Sequence, residues 1–171
     1  MKIPRRSRNL NILPQEIRIG NHTIAMRGQR IPHVKILRAI EECSGLPAGI
    51  VSIYRANVLP FQTRTIRLLG RKNSATIIYS LLGYEVVTGY KRIQCPDHVT
   101  ARYIRLFSEI GCRSVKLPYD PTVTAQLIPQ LESALEKIKQ TVREIFPGNL
   151  RLQSYVIRHI YSIIRRDIEF S

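Results

Sequence analysis

The chain has 171 residues, 44% of them hydrophobic, which suits one well-buried core, is short for two domains, and is too apolar for a largely disordered protein. Lys and Arg total 27 against 12 Asp and Glu, for a formal net charge of +15 and a pI near 10.4. Self-repulsion at that charge destabilises a compact state, so a polyanionic partner, nucleic acid before any other, explains it better than an inert basic surface.

Residues 1–15 read as a polar, basic arm containing Arg5, Arg6 and Arg8. Ile17 to Ile31 alternates loosely around Gly20-Asn21 and reads as a short hairpin, closed by Pro32. Val34 to Cys43 has helical spacing through Val34, Leu37 and Ile40, and Ser44-Gly45 stops it. Pro47 opens a second helix, expected to reach Asn57 and end before Pro60. A buried strand over Ile50 to Tyr54 is the competing reading of that β-branched run.

Arg64 to Leu69 is apolar and basic by turns, and Gly70 breaks it. Asn73 or Ser74 is then expected to cap a helix carrying Ala75, Ile78, Tyr79 and Leu82, ended by Gly83. Glu85 to Cys95 forms two strands about Thr88-Gly89. Asp97 caps the next helix, whose apolar line of Ala101, Ile104 and Phe107 ends at Gly111, and Val115 to Leu117 is a short strand. Asp120-Pro121 pairs an N-cap with a first helical residue, opening a helix that runs to Phe146. Its apolar residues Leu127, Leu131, Leu135, Ile138 and Val142 are spaced by three or four, and Pro129 is expected to kink it or mark its real start. After Pro147-Gly148-Asn149, a last helix carries Leu152, Val156, Ile160 and Ile164 as its stripe.

The fold class expected from these elements is α+β: a helix-dominated single domain with short β-hairpins, a winged-helix-like middle segment and a C-terminal helical pair. It divides into the arm (1–15), a nucleic-acid-binding core (16–118) and a helical element (119–171) that caps the core or forms a homodimer contact. Residues 1–60 hold 10 basic and 3 acidic residues, 61–120 hold 10 and 4, and 121–171 hold 7 and 5, so the polyanion face belongs to the first two thirds.

From Val34 to Cys95 the expected order is helix, turn, helix, further helix, hairpin. That layout resembles winged helix-turn-helix DNA-binding domains, whose recognition helix enters the major groove while a hairpin wing lies on the backbone. The resemblance implies that Arg71, Lys72 and Asn73, opening the later helix, approach base edges, where Arg reads guanine and Asn reads adenine. The earlier helix offers Ser52, Arg55 and Asn57 for the same role. Arg64, Arg67, Lys91 and Arg92 would neutralise phosphates, and Tyr90 permits base stacking, which also suits single strands or RNA. The partner is therefore read as DNA first and RNA second, and the protein as a non-enzymatic regulator or an accessory protein of a mobile element. An RNA-binding or ribosome-associated protein is the first alternative.

Catalytic and metal signals are thinner. Pro96-Asp97 followed by Ser114-Val115-Lys116 resembles a restriction-endonuclease pattern, except that Ser114 stands where an acid belongs; a metal-dependent nuclease using Asp97, Lys116 and Glu109 or Asp120 is the enzymatic alternative. Cys95-Pro96-Asp97-His98 is a single half-site, so no metal ligands, catalytic residues or cofactors are assigned. His159, Tyr161, Arg158, Arg165 and Arg166 alternate around an apolar stripe and read as a basic-sided packing or dimer helix. Three cysteines, Cys43, Cys95 and Cys112, lack framework spacing and suit a reducing cytosol, with a nucleoid association as a variant. No membrane partner is expected, since no apolar run approaches a bilayer span.

Overall fold

In the computed structural model the described residues are 16–19, 22–25, 45–70 and 74–171. Strands β1 (Glu16–Ile19) and β2 (His22–Ala25) pair antiparallel with Ile19 opposite His22, so the hairpin expected around residues 20 and 21 forms. The helix expected over Val34 to Cys43 lies outside the described residues.

Gly45 adopts a left-handed φ of 55 and leads into α1, Leu46–Val58. Leu46, Ile50, Tyr54 and Val58 recur every fourth residue on its buried face, and this 3.6-residue period decides for helix over the competing strand. Strand β3 (Thr63–Arg67) then pairs antiparallel with β7 (Ser114–Pro118), Ile66 lying opposite Val115.

Three strands follow: β4 (Ala75–Ser80), β5 (Gly83–Thr88) and β6 (Lys91–Cys95), paired antiparallel in that order. The helix expected from Ser74 to Leu82 is therefore a strand and a turn. Thr76, Ile77, Ile78 and Tyr79 are β-branched or aromatic, and Ile77 sits opposite Val86, which sits opposite Ile93, forming one apolar row across the sheet. The helical spacing of Ala75, Ile78, Tyr79 and Leu82 was coincidental, since Ile78 and Leu82 point to solvent. Gly83, with φ 101, is a hairpin glycine opposite Ser80 and not a helix stop. The second turn matches expectation: Thr88 faces Lys91, and Gly89 supplies the positive φ of 56 that its first loop position demands.

The remaining helices are α2 (His98–Ile110), α3 (Pro121–Ile145) and α4 (Leu150–Glu169). Asp97 caps α2, its carboxylate accepting the Thr100 N–H at 2.7 Å and the Thr100 hydroxyl at 2.9 Å. Asp120 and Asn149 cap α3 and α4 in the same way. Helix α3 starts at Pro121 and continues through Pro129. Pro129 and Ala125, four residues before it, are both exposed, so the carbonyl deprived of its intrahelical partner lies on the solvent side.

All four helices share one core. α1 packs on α3 and α4, α2 packs on α3 and on the inner face of the meander, and β7 runs beneath. At the centre Phe107 meets Tyr54 edge-on at 5.6 Å and Tyr103 at 4.8 Å. Leu152, Val156, Ile160, Ile164 and Ile168 of α4 are buried inside this core, so the last helix caps its own chain with its apolar stripe. None of the described helices is long and apolar enough to cross a membrane.

The free edge of β7 is closed by side chains. The Lys116 N–H donates to the Tyr54 hydroxyl at 3.1 Å, and the Tyr103 hydroxyl donates to the Lys116 carbonyl at 2.7 Å. Among the described residues no strand lies on that side, and the two buried tyrosines satisfy the peptide groups that a third strand would otherwise pair.

Candidate nucleic-acid interface

Of the basic residues expected around the hairpin, Arg67 and Lys91 come together at one end of the two sheets. Arg64 and Arg67 are exposed on β3, whose pairing with β7 leaves its other edge open among the described residues. At that edge the Lys91 ammonium donates to the Arg67 carbonyl at 2.6 Å, bringing the start of β6 against the end of β3. Burial pushes the Cys95 thiol, at the other end of β6, up to about 11. Beyond β3, the Leu68 N–H donates to the Arg113 carbonyl at 2.7 Å and the Gly70 N–H to the Cys112 carbonyl at 3.1 Å. The backbone of exposed Arg113 thus lies beside Leu68, one residue past Arg67.

The period-two alternation of a strand separates Lys91 from Arg92. Lys91 lies on the face shared with Ala75 and Thr88, whereas Arg92 lies on the open face with Thr76 and Val87. Arg92 is paired with Glu85 at 3.4 Å while its side chain stays 70% exposed. Tyr90, in the turn joining β5 to β6, is 84% exposed. The open face is made of Thr76, Ile78, Glu85, Val87, Arg92 and Gln94, with no aromatic side chain for a stacking platform.

Other expected residues are placed differently. Arg55 is held by the end of α4, its Nε donating to the Ser171 hydroxyl at 2.9 Å and Nη2 to the Asp167 carbonyl at 3.2 Å. Asn57 donates to the Ile53 carbonyl within its own helix, and Ser52 to that of Gly49. Helix α1 therefore turns its polar side chains back on the protein, and the strand at 75–80 takes the place of the later helix. Arg5, Arg6, Arg8, Arg71, Lys72 and Asn73 lie outside the described residues. Sequence reading missed Arg113, which follows a helix stop in a segment without local patterning; only the continuation of the β3–β7 pairing brings its backbone to Leu68, next to Arg67.

The acidic side chains from Glu85 onward are engaged in other contacts. Glu109 pairs with Lys139 at 2.9 Å and Glu136 with Arg143 at 3.1 Å, and Glu132 binds both Arg102 and Arg105. Asp167 pairs with Arg166 at 3.2 Å. Glu144 accepts from Gln140 and Glu169 from the Arg113 N–H, and Asp97 and Asp120 are caps. Each acid from Glu85 to Glu169 is engaged within the fold. Arg64, Arg67 and Lys91 have no acidic partner among the described residues, and the acid beside Arg113, Glu169, meets its backbone N–H.

The nuclease candidates are not drawn together by any hydrogen bond among the described residues. Both oxygens of Asp97 serve Thr100, and the Lys116 ammonium donates to the Ser171 carbonyl at 3.0 Å. Among the described residues no three His, Cys, Asp or Glu side chains are grouped to hold a metal ion. Cys95 donates to the Ile93 carbonyl, while the His98 ring packs against Tyr84 at 5.3 Å, so the half-site is divided between two environments. Burial pushes the Cys112 thiol up to about 12. Neither thiol has the exposed, electropositive setting of a reactive cysteine.

No family model matches the chain, and no curated protein or solved structure is found similar to it.

Proposed function

We propose that the protein is a non-enzymatic nucleic-acid-binding protein that grips phosphates through the β3–β6 end, with duplex DNA as its first partner. The observation that supports this reading is the balance of charge: every acid from Glu85 to Glu169 has an internal contact, whereas Arg67 and Lys91 meet without an acidic side-chain partner among the described residues, with exposed Arg64 before them on β3. A folded chain gains nothing from gathering unpaired guanidinium groups at one edge, and a phosphate backbone supplies the missing counter-charge. Lys91, fixed on the Arg67 carbonyl, retains N–H donors for a phosphate oxygen.

Two features support backbone contact over base reading. The exposed positions of α1 offer only Ala48, Ser52, Arg55 and Ala56, and Arg55 is engaged. The open face of the meander lacks the aromatic residues on which single-stranded bases stack. A regulatory or mobile-element accessory role is compatible with such a binder.

The test is a salt series of affinity for matched DNA and RNA duplexes. Each phosphate that the protein neutralises on B-DNA adds about 0.9 to the steepness of log affinity against log salt, so replacing Arg67 and Lys91 by Gln together is expected to reduce that slope by about 1.8. An unchanged slope in the folded variant rejects this site. Tighter binding of the RNA duplex at equal salt moves the partner to RNA, and salt-insensitive affinity for both rejects nucleic acid altogether.

A further inference from the structure

We infer that the basic surface continues from β3 and β6 along α4, so that the ligand is an extended polyanionic duplex lying across both and not an isolated phosphate group. This rests on the nucleic-acid reading above and deepens it by assigning α4 to the same interface.

The connection is made by hydrogen bonds. Arg165 of α4 donates to the Gly111 carbonyl at 3.4 Å, and the Glu169 carboxylate accepts the Arg113 N–H at 2.6 Å. These contacts fix the C-terminal half of α4 against residues 111–113, which pair with Leu68 and Gly70 just past Arg67. Arg113 therefore stands between the β3–β6 cluster and the helix.

Along α4, Arg151, Arg158 and Arg165 are seven residues apart, close to two helical turns, and line one stripe. At a rise of 1.5 Å per residue that stripe is about 21 Å long, roughly six base pairs at 3.4 Å each. The one acid on the stripe, Glu169, is occupied by the Arg113 N–H. Arg158 donates its Nε internally, to the Ser154 carbonyl at 3.2 Å, and Arg151 is exposed with no ionic partner among the described residues. Beside the stripe, Tyr155, Arg158, His159 and Ser162 line a surface cleft of about 280 Å³, which mixes cationic, hydroxyl and aromatic groups.

A membrane is a poorer occupant. An amphipathic helix binds a bilayer by inserting its apolar face, and Leu152, Val156, Ile160, Ile164 and Ile168 are already buried in the core. What α4 presents outward is charge, and the cationic face suits phosphates presented along a line.

The experiment measures the salt dependence of affinity for a 16-base-pair DNA duplex, using the full chain. Replacing Arg151 and Arg158 by Gln is expected to reduce the slope by about 1.8, and combining this with Arg67→Gln and Lys91→Gln to reduce it by about 3.6. Arg151→Lys with Arg158→Lys keeps both charges and is expected to keep the slope. If the Gln pair fails to fold, Arg151→Gln alone at its exposed position is expected to lower the slope by about 0.9. A normal slope in the folded α4 variants, with a reduced slope in the β3–β6 variant, overturns the belt and leaves the binding site at the sheets. Absence of salt-dependent binding by the wild type removes both conclusions together.

Discussion

The tyrosine closure of β7 offers the sharpest test of how this fold holds its basic surface. Tyr103 is 0% exposed, and its hydroxyl donates to the Lys116 carbonyl at 2.7 Å. Water does not reach this group, so Tyr103→Phe leaves a buried carbonyl without its donor. An orphaned buried polar group costs about 1–3 kcal/mol, partly offset because the tyrosine hydroxyl itself no longer has to be desolvated. We expect a net loss of about 1.5 kcal/mol, or roughly 3–6 °C in Tm for a chain of this size. Tyr54→Phe removes the acceptor of the Lys116 N–H at 3.1 Å and is expected to cost a similar amount. Because both hydroxyls hold Lys116, the double variant is expected to lose less than the sum, with about 0.5 kcal/mol or more of coupling. Urea unfolding followed by far-UV circular dichroism measures all three. A Tyr103→Phe stability within about 0.3 kcal/mol of wild type refutes the argument that these hydroxyls replace a missing strand, since that is within the scatter of neutral substitutions. The consequence reaches function, since β7 is the strand on which β3, with Arg64 and Arg67, is registered.

Alkaline pH probes the buried thiols. Burial raises Cys95 to about 11 and Cys112 to about 12 from the ordinary 9.0, so the folded state keeps protons that the unfolded chain releases. Their stabilising effect is whole below pH 9 and declines as pH climbs toward 11 and 12; Tyr54, raised to about 12 from 10.0 by burial, extends the decline. Urea midpoints in reducing buffer are expected to fall between about pH 8 and pH 10.5, and less steeply in Cys95→Ala and Cys112→Ala; a flat profile counts against thiol burial. Gly70→Ala probes the link from β3 to Arg113. With φ 78 and an added Cβ only 2.7 Å from Arg113 Cγ, it is expected to cost about 1–3 kcal/mol, and a neutral result by thermal unfolding means that this turn relaxes freely.

Local chemistry made much of the chain legible. Asp97, and Asp120 with Pro121, act within a turn of their own position, so the helix starts they mark appear where the residue types place them; Asn149, read only as part of a turn, caps α4 by the same local chemistry. Periodicity sufficed for α3 and α4, whose buried faces repeat every three or four residues whatever they pack against, whereas α1 was marked by Pro47 and left a strand over Ile50 to Tyr54 in competition. It failed at 74–82, because Ala75, Ile78, Tyr79 and Leu82 satisfy a helical count while Thr76 to Tyr79 favour a strand. The row from Ile77 through Val86 to Ile93 settled the matter, and that row exists only once β5 and β6 are in register.

The site divides along the same line. An excess of cations, and its concentration in the first two thirds, is a property of composition alone. Which cations stand free is a matter of pairing across tens of residues, because Glu132 reaches Arg102 and Glu109 reaches Lys139 only when α2 packs on α3. Neighbours in sequence part company as well: the strand pleat sends Lys91 toward the Arg67 carbonyl and Arg92 to Glu85 on the opposite face. By itself the sequence determined the Asp97 and Asp120 helix starts, the Gly89 turn and the net charge, which depend on short-range geometry and composition. Register and helix packing, which act between distant segments, decided that Lys91 reaches the Arg67 carbonyl and that the Arg113 backbone lies just past it.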